Sequence, residues 1–128
     1  MRPTARFDAI VFDAGGIFVL PDPLVLGPLL EYHGGDPSIG THRRAHYAGM
    51  AAKSAAGSPE QFWHHYNEAY VRAVGVPEPE VALATLVLEQ TRNAWTWRWP
   101  IPESLGALRE LHRIGMPMGV DSSDATGL

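Results

Sequence analysis

The sequence predicts an α/β fold in which two core strands are separated by a long helical insert. Residues 9–12 form a short apolar run with β-branched and aromatic members, and this run leads into Asp13 and a glycine pair. Residues 117–120 form a second short apolar run, which leads into a segment rich in aspartate and serine. Short apolar runs bounded by turn residues indicate buried strands of the kind found in parallel sheets. Between them, residues 21–93 carry repeated helix signals.

Asp13 is the candidate functional residue of the first strand. Ligands of open α/β sheets bind beyond the carboxyl ends of the strands, and Asp13 follows the apolar run directly. A carboxylate there can act as a nucleophile that forms a covalent intermediate, or as a ligand for a hard cation. The alternative is that Asp13 caps the turn, because Asp is a common turn residue ahead of Gly.

Residues 21–93 are predicted to form four helices. Asp22 and Asp36, each followed by proline, have the pattern of a helix N-cap. Ser58 and Gln61 have capping-box spacing and predict the start of the third helix, and prolines 77 and 79 introduce the fourth. Spacings of three and four predict apolar faces made of Leu26, Leu29 and Leu30, of Phe62, Tyr66, Ala69, Tyr70 and Ala73, and of Leu83, Leu86, Val87 and Gln90. The second helix carries Tyr47, Met50 and Ala51 and is expected to stop near Gly57.

Three tryptophans precede the last predicted helix. Trp95, Trp97 and Trp99 alternate with other residues, and this period of two predicts an extended segment. The indoles either line a pocket or bury apolar area at a domain junction, and aromatic residues more often do the latter. Residues 103–114 then predict a helix that ends at Gly115, with Leu105, Leu108 and Leu111 on its inner face.

Composition sets limits on the class of protein. At 128 residues, with 45% hydrophobic and 19% charged residues, the chain is the size and kind of one globular domain. A net charge of −4 predicts no nucleic-acid partner, and the absence of cysteine excludes disulfides and thiol chemistry. The short polar N-terminus and the lack of a long apolar segment predict a soluble, cytoplasmic protein with no membrane partner. Oligomeric state has no signal in the sequence.

Histidines and arginines supply further candidate groups in the insert. His64 and His65 are adjacent and cannot chelate one metal from the same helix face, whereas His42 and His46 are four apart and share a face. No acidic residue completes an obvious triad near His42 and His46, and both pairs are predicted to lie on solvated helix surfaces. The arginines at positions 43, 44 and 72 are suited to bind a substrate anion, and the sequence does not select one of them.

Both strand ends resemble motifs of the haloacid dehalogenase (HAD) superfamily. Residues 12–17, Phe-Asp-Ala-Gly-Gly-Ile, are similar to the first HAD motif, an apolar strand followed by Asp-x-Asp-Gly-Thr or a variant. The strand ending at Ser122 is similar to the second motif, in which an apolar strand ends in Ser or Thr. The resemblance implies an incomplete Rossmannoid core with two core strands, formed by residues 1–20 and 100–128, and an α-helical cap formed by residues 21–99.

The resemblance also implies roles for particular residues. Asp13 would be the nucleophile, and Gly16, Ser122 and Ser123 would bind a small phosphorylated substrate or a related one. Asp13 and the backbone carbonyl of Gly15 would be ligands of Mg²⁺. The cap would close over the substrate and set specificity.

The sequence departs from the HAD pattern at three points. Gly15 stands where phosphatase members carry an Asp that protonates the leaving group, a function worth roughly 10²–10⁴ in rate. Members that cleave carbon–halogen bonds usually carry a bulkier residue there. Ser123 stands where Asn is usual, and only six residues follow Ser122, so the later Lys and the acidic magnesium motif are not expected in this chain. We therefore expect the N-terminal portion of a larger hydrolase, or a truncated gene product.

Three functions follow from these observations. The first is a HAD-like hydrolase of the phosphatase type that uses Asp13. The second is a non-catalytic HAD-like domain that binds a ligand or partner through its cap, which Gly15 and the missing motifs favour for this chain. The third, a helical interaction module, leaves the strand ends at Asp13 and Ser122 unexplained.

Overall fold

The structure, a computed structural model, describes residues 7–91 and 96–121 as a mixed α/β arrangement of five helices and two small sheets. In chain order the elements are β1 (Ile10–Asp13), β2 (Val19–Pro21), α1 (Pro23–Glu31), α2 (Ile39–Ala55), α3 (His64–Ala73), α4 (Glu78–Thr91), β3 (Trp97–Pro100), α5 (Pro102–Arg113) and β4 (Met118–Asp121). None of these helices has the length and apolar character that a bilayer crossing requires.

The two predicted core strands pair in parallel, as expected. β1 and β4 run in register from Ile10 beside Met118 to Asp13 beside Asp121, so both carboxyl ends lie at one edge. The prediction that these strands are buried is wrong, because Val11 is 70% and Val120 61% exposed. A parallel pair is buried only when other layers cover both of its faces, and the described residues do not provide that cover.

The apolar segment after the glycine turn is a strand rather than a simple link. Val19–Pro21 forms β2 and pairs antiparallel with β3, with Leu20 opposite Trp99. The predicted period of two is confirmed in β3, where Trp97 and Trp99 are half-buried and Arg98 is exposed. Trp95 lies outside the described residues. This second sheet joins the first core strand to the helices.

The four predicted helices of the insert are confirmed, and they enclose the apolar core. The core residues are Leu26, Leu30, Ala45, Tyr66, Tyr70, Val71, Val74, Val76, Val81, Ala84 and Leu88. Two predicted faces are partly wrong, since Phe62, Leu83 and Leu86 are exposed. On α4 the face packed inward instead carries Val81, Ala84, Thr85 and Leu88. Residues spaced by three and four positions occur on more than one face of a helix, so the spacing alone does not show which face is buried. For α4, packing against α3 decides which face that is.

Predicted helix starts differ in outcome. Asp22 caps α1 as expected, because its carboxylate accepts a hydrogen bond from the Leu24 amide at 2.9 Å. The N-cap of α2 is Ser38 rather than Asp36, and Asp36 instead accepts hydrogen bonds from the Ser38 amide and the Thr41 hydroxyl.

The capping-box prediction at Ser58 is wrong, because α3 begins at His64. The Nζ of Lys53 donates hydrogen bonds to the carbonyls of Pro59 (2.5 Å) and Phe62 (2.9 Å). In a continuous helix those carbonyls would accept from backbone amides four residues later. The lysine therefore holds the connection between α2 and α3 in a non-helical form.

The last helix is placed as predicted but is less buried than predicted. α5 ends before Gly115, whose φ of +77° lies in the left-handed region that favours glycine. Its predicted inner residues Leu108 and Leu111 are half-buried, Leu105 is exposed, and no residue of α5 is fully buried. An ion pair between Arg43 and Glu103, at 3.1 Å, links this helix to α2.

Candidate functional site

A pocket of about 230 Å³ lies where the carboxyl end of β1 meets α2 and the loop after it. The exposed side chain of Asp13 and the backbone of Gly15 form one wall. His46 and Lys53 enter from α2, and Trp63 and Trp97 supply aromatic walls. The position predicted for Asp13, beyond the end of a parallel strand, is therefore also the position of a pocket.

The glycine turn fits tightly between α2 and β3. Gly16 has a φ of +76°, and a Cβ added there would lie 2.8 Å from Nε2 of His46. A Cβ at Gly15 would lie 3.3 Å from Cζ3 of Trp97. The hydroxyl of Tyr47 donates a 2.9 Å hydrogen bond to the carbonyl of Gly16. A residue with a side chain at position 15 would press on Trp97.

His46 is a neutral group inside the pocket wall, and the prediction of a solvated histidine is wrong here. It is 2% exposed, and its Nδ1 is hydrogen-bonded to the hydroxyl of Tyr66 at 2.8 Å. Burial lowers the pKa of His46 to about 4, because the charged ring would lose its hydration. The imidazole is therefore uncharged at neutral pH.

His42 is the counterpart of His46 one helical turn earlier, and it is also buried rather than solvated. Its Nδ1 is hydrogen-bonded to the Tyr70 hydroxyl at 2.7 Å, and its Nε2 to the Asp36 carbonyl at 3.0 Å. Burial lowers the pKa of His42 and raises that of Tyr70. His42 is not among the pocket residues. Two histidine–tyrosine pairs thus join α2 to α3, and one of them borders the pocket.

Lys53 is a functional candidate that the sequence interpretation missed. It is buried, and its Nζ lies 5.0 Å from the centre of the Trp63 ring, within the range of a cation–π contact. Its two hydrogen bonds to backbone carbonyls use two of the three ammonium donors. Lys53 lies seven residues after His46 on α2, so the helical period could have placed both on one face.

The remaining predicted site residues lie in different parts of the chain. Ser122 and Ser123 lie outside the described residues and directly follow Asp121, which is beside Asp13 in the sheet register. Gly15 and Gly16 lie in the glycine turn beside the pocket. His64 is exposed as predicted and contacts Glu89 and Glu68.

The three candidate arginines are engaged elsewhere. Arg43 pairs with Glu103, Arg72 pairs with Glu68 and Glu78, and Arg44 donates to the Thr41 hydroxyl. None of the three lines the pocket around Asp13. Among the described residues, the cationic side chain that lines this pocket is Lys53.

The described residues do not bring together a full set of ligands for magnesium. A hard cation of this kind prefers about six oxygen ligands. Asp13 and Glu60 bring carboxylates to the pocket, but residues 7–91 and 96–121 contain no group of three or more side chains suited to hold a metal ion. Mg²⁺ bound by Asp13 and the Gly15 carbonyl stays a prediction.

No protein-family model, curated protein or solved structure matches the chain. Its function is therefore argued from the pocket.

Proposed function

We propose that this chain is a HAD-like hydrolase domain of the phosphatase type, in which Asp13 is the nucleophile and a small phosphorylated molecule, or a related one, is the substrate. One observation carries the proposal. Asp13, at the carboxyl end of a parallel strand, lines one small pocket together with the buried residue Lys53. A nucleophile and a group that binds anions are thus present in one site.

The reaction would proceed by two displacements at phosphorus. A carboxylate oxygen of Asp13 forms a bond to phosphorus while the bond to the leaving-group oxygen breaks, giving an aspartyl phosphate and an alcohol or phenol. Water then attacks phosphorus, which releases inorganic phosphate and restores the carboxylate. The negative charge on the phosphoryl oxygens has to be stabilised throughout.

Lys53 is suited to provide that stabilisation. Its third ammonium donor is not used by the two backbone carbonyls and can bind a phosphoryl oxygen. The two carbonyls also hold Nζ in place, so little entropy is lost when an anion binds. The lysine thereby offsets charge on both the nucleophile and the substrate, the role that the resemblance assigns to a later Lys.

The substrate is expected to be small. A volume of about 230 Å³ admits a phosphate with a compact organic group. Trp63, Trp97 and Met50 give the pocket apolar walls that favour such a group over a bare ion. The small-molecule partner and the cytoplasmic location remain predictions of the sequence.

A second function is favoured by Gly15. Glycine brings no proton donor to the position where phosphatase members carry an acid. A non-catalytic HAD-like domain would use the same pocket to bind a phosphorylated ligand without turnover. The two functions differ in whether the ligand is hydrolysed, and both require a phosphorylated ligand.

The test measures hydrolysis of 4-nitrophenyl phosphate by the purified chain, with and without Mg²⁺. This leaving group needs little protonation, so the assay tolerates Gly15. We expect Asp13→Asn to abolish hydrolysis, because an amide is a poor nucleophile, and Asp8→Asn to retain it. Asp8 is the matched control, since it is an exposed aspartate that precedes β1 and does not line the pocket.

Calorimetric titration with inorganic phosphate separates the two functions. Phosphate binding that Lys53→Met removes, without any hydrolysis, would support the non-catalytic function. Hydrolysis that survives Asp13→Asn would remove Asp13 from the nucleophile role. Neither binding nor hydrolysis by the folded chain would overturn both functions.

A further inference from the structure

The ring of His46 has one nitrogen that the fold leaves unused. Nδ1 is hydrogen-bonded to Tyr66, whereas Nε2 has no hydrogen-bond partner among residues 7–91 and 96–121. Nε2 lies against the glycine turn, 2.8 Å from where a Cβ of Gly16 would be. The same ring lines the pocket that contains Asp13. A ring nitrogen without a protein partner can hydrogen-bond a ligand or water.

Hydrogen-bond chemistry decides which nitrogen carries the proton. A neutral imidazole has one donor nitrogen and one acceptor nitrogen. A phenol is a stronger acid than a neutral imidazole N–H, so the favoured arrangement has the Tyr66 hydroxyl donating to Nδ1 of His46. The proton of the ring is then on Nε2, which faces the glycine turn that borders the pocket.

We propose that His46 is a catalytic residue whose Nε2–H donates a hydrogen bond to the leaving-group oxygen of a phosphorylated substrate. This inference rests on the proposed hydrolase function and supplies the group that position 15 lacks. As the phosphorus–oxygen bond breaks, negative charge develops on the leaving oxygen, and the hydrogen bond stabilises that charge. The ring keeps its proton, and the departing alkoxide takes one from water.

A neutral donor suits this role. Because burial keeps the ring uncharged at neutral pH, it does not form an ion pair with the Asp13 carboxylate and does not weaken the nucleophile. A neutral histidine that stabilises charge on an oxygen has a precedent in enzyme chemistry. Removal of one preorganised donor of this kind typically costs roughly 10²–10³ in kcat.

His42 provides a matched control within the same helix. It is as buried as His46, and its Nδ1 is likewise hydrogen-bonded to a tyrosine hydroxyl. Its Nε2, however, is bonded to the Asp36 carbonyl, and the ring does not line the pocket. Replacement of His42 therefore has the structural cost of removing a buried histidine–tyrosine pair without the catalytic cost.

The experiment compares two leaving groups in the His46→Ala and His42→Ala variants. 4-Nitrophenyl phosphate needs little help in bond breaking, whereas an alkyl phosphate needs much. For His46→Ala we expect kcat on the alkyl phosphate to fall by about 10²-fold, with a much smaller loss on 4-nitrophenyl phosphate. His42→Ala should change both rates by the same factor. Equal losses on both substrates in His46→Ala would overturn the proposal.

A spectroscopic measurement tests the donor without turnover. ¹⁵N NMR of the imidazoles should show His46 protonated at Nε2, and inorganic phosphate should shift that signal but not the His42 signals. A His46 signal that stays unshifted at the highest soluble phosphate concentration would overturn the proposal. If the wild-type chain hydrolyses neither ester, the hydrolase function fails, and a shifted Nε2 signal would still identify His46 as the donor to a bound phosphate.

Discussion

Acidification is expected to destabilise the helical unit, because His46 is buried as a neutral ring. In the unfolded chain its imidazole has an ordinary pKa of 6.5, and in the folded chain its pKa is about 4. Between these two values the unfolded state binds a proton that the folded state does not. The contribution of His46 to the free energy of unfolding is thus complete above pH 6.5 and is lost as the pH falls towards 4.

The size of this contribution follows from the gap between the two pKa values. A gap of about 2.5 pH units corresponds to about 3 kcal/mol, of which about 2 kcal/mol is already lost at pH 5. Since single domains are stable by only about 5–15 kcal/mol, the change is large enough to measure. His42 contributes in the same direction, because burial also lowers its pKa.

The assay is urea denaturation, followed by circular dichroism, at several pH values between 7.5 and 5. His46→Gln is the informative variant, since its amide has similar polarity and does not titrate. The free energy of unfolding of this variant should fall less steeply with acidification than that of the wild type. His64→Gln is the control, because His64 is exposed and its pKa is raised by Glu89 rather than lowered. Identical pH dependence in wild type and His46→Gln would show that the burial of a neutral His46 does not contribute to acid destabilisation.

Two further predictions concern packing and capping. Gly49→Ala should destabilise the fold by about 1–2 kcal/mol in thermal denaturation. The added Cβ would lie 2.6 Å from the ring of Tyr66, and the cost of this overpacking outweighs the gain in helix propensity. Gly106→Ala, in the interior of α5, should instead stabilise by roughly 0.5–1 kcal/mol, because an added Cβ there would meet no other part of the protein within 4 Å. The opposite ranking of the two variants would contradict the packing. Asp22→Ala should cost about 1–2 kcal/mol of unfolding free energy, since it removes the α1 cap and the 2.6 Å contact with Arg98. Asp22→Asn, which keeps a capping oxygen, should lose clearly less, and equal losses would show that the cap contributes little.

Local signals predicted much of the secondary structure. The parallel pairing of the strands at 10–13 and 118–121, the four helices of the insert and the cap at Asp22 all follow from apolar runs, N-caps and glycines that act within a few residues. The start of α3 did not follow, although Ser58 and Gln61 have the right spacing. Contacts from Lys53 to two backbone carbonyls compete with the capping-box signal. A four-residue sequence pattern contains no information about these contacts.

The strand that ends in Asp13 and the glycine turn after it were predictable from the sequence, because those features depend on local chain stereochemistry. The groups that share the pocket with Asp13 depend on how the helices pack. His46 is polar and looks like a surface residue in the sequence, yet it is buried because Tyr66, twenty residues away, satisfies its ring nitrogen. Lys53 likewise enters the pocket because backbone carbonyls and the Trp63 ring replace its hydration. A polar side chain is buried only when distant partners replace water, and those partners exist only once the helices have packed.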